Sequence, residues 1–236
     1  MKMNKNKSNE LAVILVSGGM DSLVTAAIAH QLHHRLAFLH LNYGQKTEKK
    51  ELQSFHKIAD FYNVPTEFRE VIDVSFLRQI GGSSLTDDKI AVKEYKGESK
   101  EIPDSYVPFR NTHIIAMAVS WSEIIGATKI YIGAVYEDSS GYPDCRPSYY
   151  QAYNQLIREG TKAQNIEIIT PVIYMKKEEI VKKAVELKAP LHASWSCYAN
   201  EDEACGICDS CALRLRGFAR AHLEDPIPYK QRPNYT

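Results

Sequence analysis

The 236-residue chain has no apolar run approaching the roughly 20 residues that a membrane-spanning helix needs. Its early apolar run, residues 11–16, follows a lysine-rich start and is shorter than the apolar core of a secretory signal. Neither sign of charge is in excess, because 29 Lys and Arg balance 29 Asp and Glu. Broad binding of nucleic acid or of anionic membranes favours a basic footprint, so this balance argues against both and leaves room only for a local patch. Cysteine is scarce, five in all. Without an export signal the expected setting is the reducing cytoplasm, where disulfides are not the default. What remains is a chain that is 44% hydrophobic, enough for one full core with at most a small appendage.

Two further absences define the stretch Ser17-Gly18-Gly19-Met20-Asp21-Ser22. It has no lysine, which a P-loop of the Gly-x-x-x-x-Gly-Lys-Ser/Thr type requires. It has no third glycine further on, which a dinucleotide fingerprint requires. Before it lies a β-forming run, residues 11–16; after it Leu23, Val24, Ala27, Ile28 and Leu32 are spaced for one helix face. The spacing predicts a buried strand, a glycine turn and a helix. A helix start leaves N–H groups unpaired and carries partial positive charge. Paired glycines let the backbone approach an anion closely, and Ser17 and Ser22 add hydroxyls. Phosphate suits such a cradle. An ordinary strand-to-helix turn is the plainer reading, and the flanking pattern weighs against it.

Down the chain, residues 36–42 read as a second buried strand and 46–62 as a helix with Leu52, Phe55, Ala59 and Tyr62 on one face. Asn63-Val64-Pro65 ends that helix, since proline cannot continue it. Residues 66–72 read as a third strand, 112–125 as a helix apolar all round and therefore buried, and 129–133 as a fourth strand. A helix over 149–159 is expected to bury Tyr149, Tyr153, Leu156 and Ile157. A short strand over 167–170 and a helix over 176–187 follow, the latter read as plain packing through Ile180, Ala184 and Leu187. Alternating strands and helices predict an α/β fold, a doubly wound, mostly parallel sheet with ligands outside the carboxyl ends of its strands. The expected organisation is a frayed tail over 1–9, an α/β domain over 10–190 with an aperiodic insertion over about 80–106, and a cysteine-bearing segment over 191–230 packed on it. An insertion of that length is either a solvated loop or a substrate lid.

Several groups fall near the predicted strand ends. Arg110 and Asn111 enter the 112–125 helix from its amino end, where an arginine either caps and pairs structurally or meets a phosphate or carboxylate. The polar loop over 137–147 carries Glu137, Asp138, Asp144, Cys145 and Arg146. Acids there suit Mg²⁺ carried on ATP, or hydrogen bonds to a base, and a surface turn is the alternative. Cys145 reads as a buried hydrophobe or a nucleophile. Cys197, Cys205, Cys208 and Cys211 follow the spacing C-x7-C-x2-C-x2-C. Four converging thiolates suit tetrahedral Zn²⁺, with no position left open for chemistry, so the ion is structural and fastens a last helix over 209–222. An iron–sulfur cluster is the second choice and disulfides rank below both.

Ser-Gly-Gly-x-Asp-Ser resembles the pyrophosphate loop of the ATP pyrophosphatases. With it, Val107-Pro108-Phe109-Arg110-Asn111, Ser140-Gly141-Tyr142-Pro143-Asp144-Cys145-Arg146 and the four cysteines with Asp209-Ser210 resemble the 7-cyano-7-deazaguanine synthase family, over residues 11–229. The resemblance implies an adenine nucleotide alpha hydrolase-like, Rossmann-like fold and a ligase acting in queuosine biosynthesis. It implies 7-carboxy-7-deazaguanine, ammonia and ATP with Mg²⁺ as reactants, passing through an acyl adenylate and an amide to the nitrile. It also implies a cytoplasmic homodimer. Ser17, Gly18, Gly19, Asp21 and Ser22 then hold the nucleotide, and Asp21, Ser22 and Arg110 act on the reacting groups. Arg110, Asn111, Glu137, Asp144 and Arg146 are candidates to contact the deazaguanine substrate. Three rivals share parts of the pattern: a relative that delivers the activated carboxylate to another amine on a protein or nucleic acid, a tRNA thiolase with an iron–sulfur cluster, and a non-catalytic zinc-stapled nucleotide-binding module.

Overall fold

The first strand, β1 (Ser8–Leu15), is apolar on both faces and lies at the centre of a five-stranded sheet. Leu11, Val13 and Leu15 point into one core cluster, while Ala12, Ile14 and Val16 point into a second on the opposite face. That division is the period-two alternation of a strand buried on both sides. The computed structural model describes residues 7–97, 101–136 and 141–235. The strand begins at Ser8, inside the stretch read from sequence as a tail, and residues 1–6 lie outside those described.

The chain continues through α1 (Met20–Leu32), β2 (His33–Asn42), α2 (Glu48–Phe61), β3 (Arg69–Asp73) and the short α3 (Leu77–Ile80). Then come α4 (Arg110–Ile125), β4 (Lys129–Ile132), α5 (Pro147–Gly160), β5 (Glu167–Ile169), α6 (Lys177–Glu186) and α7 (Asp209–Arg220). All strand pairs are parallel, in the order β3-β2-β1-β4-β5. The expected doubly wound α/β sheet is therefore present. Its order reverses between β1 and β4, and such a switch point opens a crevice at the strand ends. Leu23, Ala26, Phe55 and Ile58 of α1 and α2 cover one face; Ile115, Ala118, Tyr150, Tyr153 and Ile157 of α4 and α5 cover the other. Each Leu, Ile or Phe side chain among them, fully buried, contributes roughly 1.5–3 kcal/mol. A third cluster joins Val24 of α1, Ile180 and Val181 of α6 and Phe218 of α7.

Three local expectations change. The third strand starts at Arg69, because the chain after Pro65 first makes a 3-10 turn over Thr66–Phe68. α4 is not buried all round: only Asn111, Ile115, Ala118 and Ser122 are buried, and Ile124 is 85% exposed. An apolar sequence leaves its buried side undefined, and here a single stripe meets the sheet. α5 begins two residues early, with Pro147 in its first turn. Its buried face is Tyr150, Tyr153 and Ile157, whereas Leu156 is exposed and Tyr149 only partly buried.

The described part of the 80–106 insertion is tied down rather than free. Lys46 N–H donates to the Leu85 carbonyl at 3.0 Å and Ser84 N–H to the Asp104 carbonyl at 2.7 Å. Further on, Tyr95 N–H donates to the Ile207 carbonyl at 2.7 Å, beside an antiparallel bridge between Glu94 and Cys208. The insertion thus lies against the cysteine segment, where Val92 packs on a cluster of Trp195, Cys197, Ala204, Cys208, Cys211 and Ile227.

Candidate active site

β1 delivers the chain directly into the glycine loop, and α1 leaves it. Gly19 occupies the N-cap with no side chain capping the helix. Ser22 Oγ donates to the Gly19 carbonyl at 2.9 Å, Ser17 Oγ donates to Ser22 Oγ at 3.1 Å, and Gly19 N–H donates to Ser17 Oγ at 3.2 Å. The hydroxyls therefore shape the turn from within. Gly18 sits at φ +88, and a Cβ there would stand 2.6 Å from the Glu51 carbonyl of α2, so both conformation and space demand glycine. Gly133, just past β4, meets the start of α1 equally closely: a Cβ would lie 2.8 Å from Asp21 C, Asp21 O and Ser22 N. The loop is thus seated in the switch-point crevice between β1 and β4.

A cavity of about 260 Å³ opens at this place, lined by Ser17, Gly19, Asp21, Ser22 and Gly133 at one end. Arg110, Asn111, Tyr43, Glu51, Tyr142 and Tyr198 line the rest of it. The sequence-predicted Ser17, Gly19, Asp21, Ser22, Arg110 and Asn111 therefore come together at one site. Gly18 lies behind the loop against α2 and does not face the cavity. Asp21 Oδ2 accepts a hydrogen bond from Lys177 Nζ at 2.6 Å, and its Oδ1 is buried without a hydrogen-bond partner. Lys177 is the first residue of α6, the helix read from sequence as plain packing; its amino end instead reaches the site.

Arg110 enters from the first turn of α4, whose N-cap Phe109 holds the left-handed conformation at φ 59. Its guanidinium carbon lies 5.2 Å from the centre of the Tyr43 ring and Nη1 donates to the Tyr43 hydroxyl at 3.3 Å. Arg110 Nε is buried with no hydrogen-bond partner, a donor open to an anion. Asn111 lines the cavity with its donors already engaged: Asp144 Oδ2 accepts its N–H at 3.1 Å, and its Nδ2 donates to the Asp144 carbonyl at 3.0 Å. A carboxylate at a helix start is favourable, so Asp144 secures the end of α4 that carries Arg110. Asp144 is buried beside the cavity, and Arg146 is exposed. Glu137 lies outside the described residues. Cys145 does line the cavity, and burial pushes its thiol up to about 11, which keeps it neutral and weakly nucleophilic near pH 7.

Sequence reasoning missed Tyr43, Glu51, Lys177, Tyr142, Trp195, Tyr198 and Arg214, all of which line the cavity. Glu51 stands out among them. Thr47 Oγ1 donates to its Oε1 at 2.7 Å and Gln45 Nε2 to its Oε2 at 3.0 Å. Burial raises its carboxyl to about 7. Arg214 is fully buried and pairs bidentately with Asp225, Nε to Oδ2 at 2.6 Å and Nη2 to Oδ1 at 2.9 Å. It also donates to Ser194 Oγ at 2.8 Å and so ties the chain on either side of the cysteines to α7.

The four Sγ atoms of Cys197, Cys205, Cys208 and Cys211 lie within 4.8 Å of one another. Sulfurs bound tetrahedrally at ~2.3 Å fall within that spread. Backbone N–H groups of Ala199, Asn200 and Cys205 point at Cys197 Sγ, and those of Ile207 and Cys208 at Cys205 Sγ, at 3.3–3.4 Å. Such donors suit thiolates, so the residues present fit a metal ion.

An all-parallel α/β sheet, with a glycine loop at its switch point and a four-cysteine cluster that fits a metal ion beside it, is the class of protein that fold and site define. Within that class the chain belongs to the family described as "Queuosine biosynthesis protein QueC", whose model matches residues 11–222. It is 60% identical to a 7-cyano-7-deazaguanine synthase of Chloroherpeton thalassium over 95% of this chain and 99% of that protein. It is 58% identical to one of Chlorobaculum parvum over 95% of this chain and 98% of that protein. Among solved structures, a 4-thiouridine synthetase–RNA complex with bound ATP aligns with TM-score 0.49 and 19% identity, over 75% of this chain and 40% of that one.

Proposed function

We propose that the chain converts 7-carboxy-7-deazaguanine and ammonia to 7-cyano-7-deazaguanine at the expense of ATP. The observation that carries this reading is the joining, in one cavity, of the open start of α1 to the unpartnered Arg110 Nε. The likeness to named 7-cyano-7-deazaguanine synthases over nearly the whole chain supports the substrate. The N–H groups of the loop, with Ser17 and Ser22, would hold the pyrophosphate as the substrate carboxylate attacks the α-phosphate. Arg110 would hold the carboxylate or the α-phosphate beside it. Ammonia would displace AMP to leave the amide, and a second adenylation of the amide oxygen would let AMP depart to give the nitrile. Mg²⁺ on ATP would neutralise phosphate charge, and the unpartnered Asp21 Oδ1 fits it.

For the cysteine site we read zinc in a structural role, since all four positions are thiolates and none is left for substrate. Ligands of that kind suit a reducing cytoplasm. The test of function is incubation of the purified protein with ATP, Mg²⁺, ammonium and 7-carboxy-7-deazaguanine, read by mass spectrometry. Nitrile with AMP is the expected result. Accumulation of adenylate alone would move the acceptor elsewhere, amide without nitrile would end the reaction at the first adenylation, and no AMP at all would overturn the substrate.

A further inference from the structure

Two carboxylates line the cavity among the described residues, Asp21 and Glu51. Asp21 is paired with Lys177 at the glycine-loop end. Glu51 has no role in the reading above. It sits in the first turn of α2, held by two neutral donors, Thr47 Oγ1 and Gln45 Nε2. Gln45 is itself fixed, because its Oε1 accepts the Tyr43 N–H at 2.9 Å. The charged groups acting on Glu51 are Arg110, which favours its ionised form, and Glu48, which opposes it. Each Glu51 oxygen therefore has one donor and spare lone pairs, in the cavity that Arg110 also lines.

The chemistry requires a group of this kind. Near neutral pH the nitrogen source is ammonium, which has no lone pair and cannot attack an acyl adenylate. A carboxylate draws that cation in, and one that exchanges protons near neutrality can take a proton from it and pass the proton on to water. A carboxyl that only read the donors of a heterocycle would be better kept ionised throughout.

We propose that Glu51 is the proton acceptor that converts bound ammonium to the attacking ammonia. One N–H bond of ammonium breaks, its proton goes to a Glu51 oxygen, and the freed lone pair forms the C–N bond as the C–O bond to AMP breaks. The surplus proton on the new amide nitrogen leaves to water. This role rests on the activation chemistry proposed above, and the two are separable by experiment.

Carboxylate-dependent ATP–pyrophosphate exchange reports adenylation alone. Amide, nitrile or hydroxamate formation reports amine capture. Hydroxylamine is neutral near pH 7 and needs no acceptor for its first proton. In Glu51→Gln the exchange rate and the KM for the carboxylate are expected within about twofold of the parent, with ammonium-dependent turnover down roughly 100-fold, the lower range for removing a general base. Turnover with hydroxylamine should stay near the parent value. Should Glu51→Gln not fold, Glu51→Asp carries the same comparison, with the ammonium rate reduced more than the hydroxylamine rate. Equal losses with both amines would overturn the assignment. So would a raised KM for the carboxylate with turnover retained, which would make Glu51 a contact to the ring. Absence of exchange in the parent protein would overturn the activation chemistry and this role with it.

Discussion

At the glycine-loop end of the cavity, the wall comes from one short stretch, Ser17 and Gly19 of the turn after β1 with Met20, Asp21 and Ser22 of the first turn of α1, and the Ser17 and Ser22 hydroxyls bond to each other and to the Gly19 backbone. At the Arg110 end, Tyr43, Glu51, Arg110, Tyr142 and Tyr198 come from five separate stretches of chain. They are held by partners from still others: Tyr142 shares a hydrogen bond with Ser105 of the insertion at 2.8 Å, and Asp144 secures the start of α4. A ligand whose chemistry is invariant, such as a pyrophosphate, can be met by one local backbone shape. A substrate that differs between enzymes needs side chains gathered from across the fold, and so depends on whatever gathers them.

The largest effect is expected where the gathering is done. The cysteine segment and α7 supply Trp195, Ser196, Tyr198, Ser210, Leu213 and Arg214 to the cavity. Structural zinc sites of four ligands contribute about 10–16 kcal/mol in isolated peptides, as much as the ~5–15 kcal/mol that holds a whole domain folded. Cys208→Ser should therefore lose metal and soluble, cooperatively melting protein together. Metal analysis and thermal melts check this, and a soluble, fully active variant would refute a structural role for the site.

Next comes the glycine-loop end. Gly133→Ala would place a methyl group 2.8 Å from the backbone of Asp21 and Ser22. Backbone atoms cannot swing aside as a long side chain does, so the start of α1 must shift. The expected cost in stability is about 1–3 kcal/mol. Turnover should fall far more, roughly 100-fold, because displacing a positioned group by about an ångström costs that much. A melting temperature only a few degrees lower with pyrophosphate exchange nearly abolished is the expected pair of results. Exchange at the parent rate would show that the seat of the loop is not needed for ATP chemistry.

The same contrast decides what could be read from sequence. The parallel α/β pattern, the glycine turn and the four cysteines were legible because each is local: alternating strand and helix stretches, six residues with the right flanks, and cysteines eight, three and three residues apart. Gly133 was read as the end of a strand, and nothing in its neighbours announces that Asp21 lies against it. Lys177 looked like an ordinary charge on an amphipathic helix, and only the crossing of α6 past α1 brings it to 2.6 Å from Asp21. Glu51 was hidden for a further reason. A glutamate in the first turn of a helix is what the helix dipole favours anyway, so its burial and raised proton affinity leave no mark on the pattern.

Arg110 sharpens the comparison by the smallest step, since it carries out at one end, by side chain, what the loop achieves by backbone. Its charge is one contribution and its planar fork another, and Arg110→Lys keeps the first while removing the second. The Nη1 bond to the Tyr43 hydroxyl at 3.3 Å and the stacking over that ring fix the fork, so that the unpartnered Nε faces a set direction. A lysine ammonium at this place would be neither stacked nor aimed. Losing one hydrogen bond to a charged partner costs about 1.5 kcal/mol, or about tenfold. If Arg110 orients the substrate carboxylate, the KM for 7-carboxy-7-deazaguanine should rise about tenfold with kcat changed less, while binding of ATP stays as it was. If kcat falls with KM unchanged, the fork is spent on the α-phosphate in the transition state instead, and the arginine belongs with the nucleotide wall rather than with the residues that read the substrate.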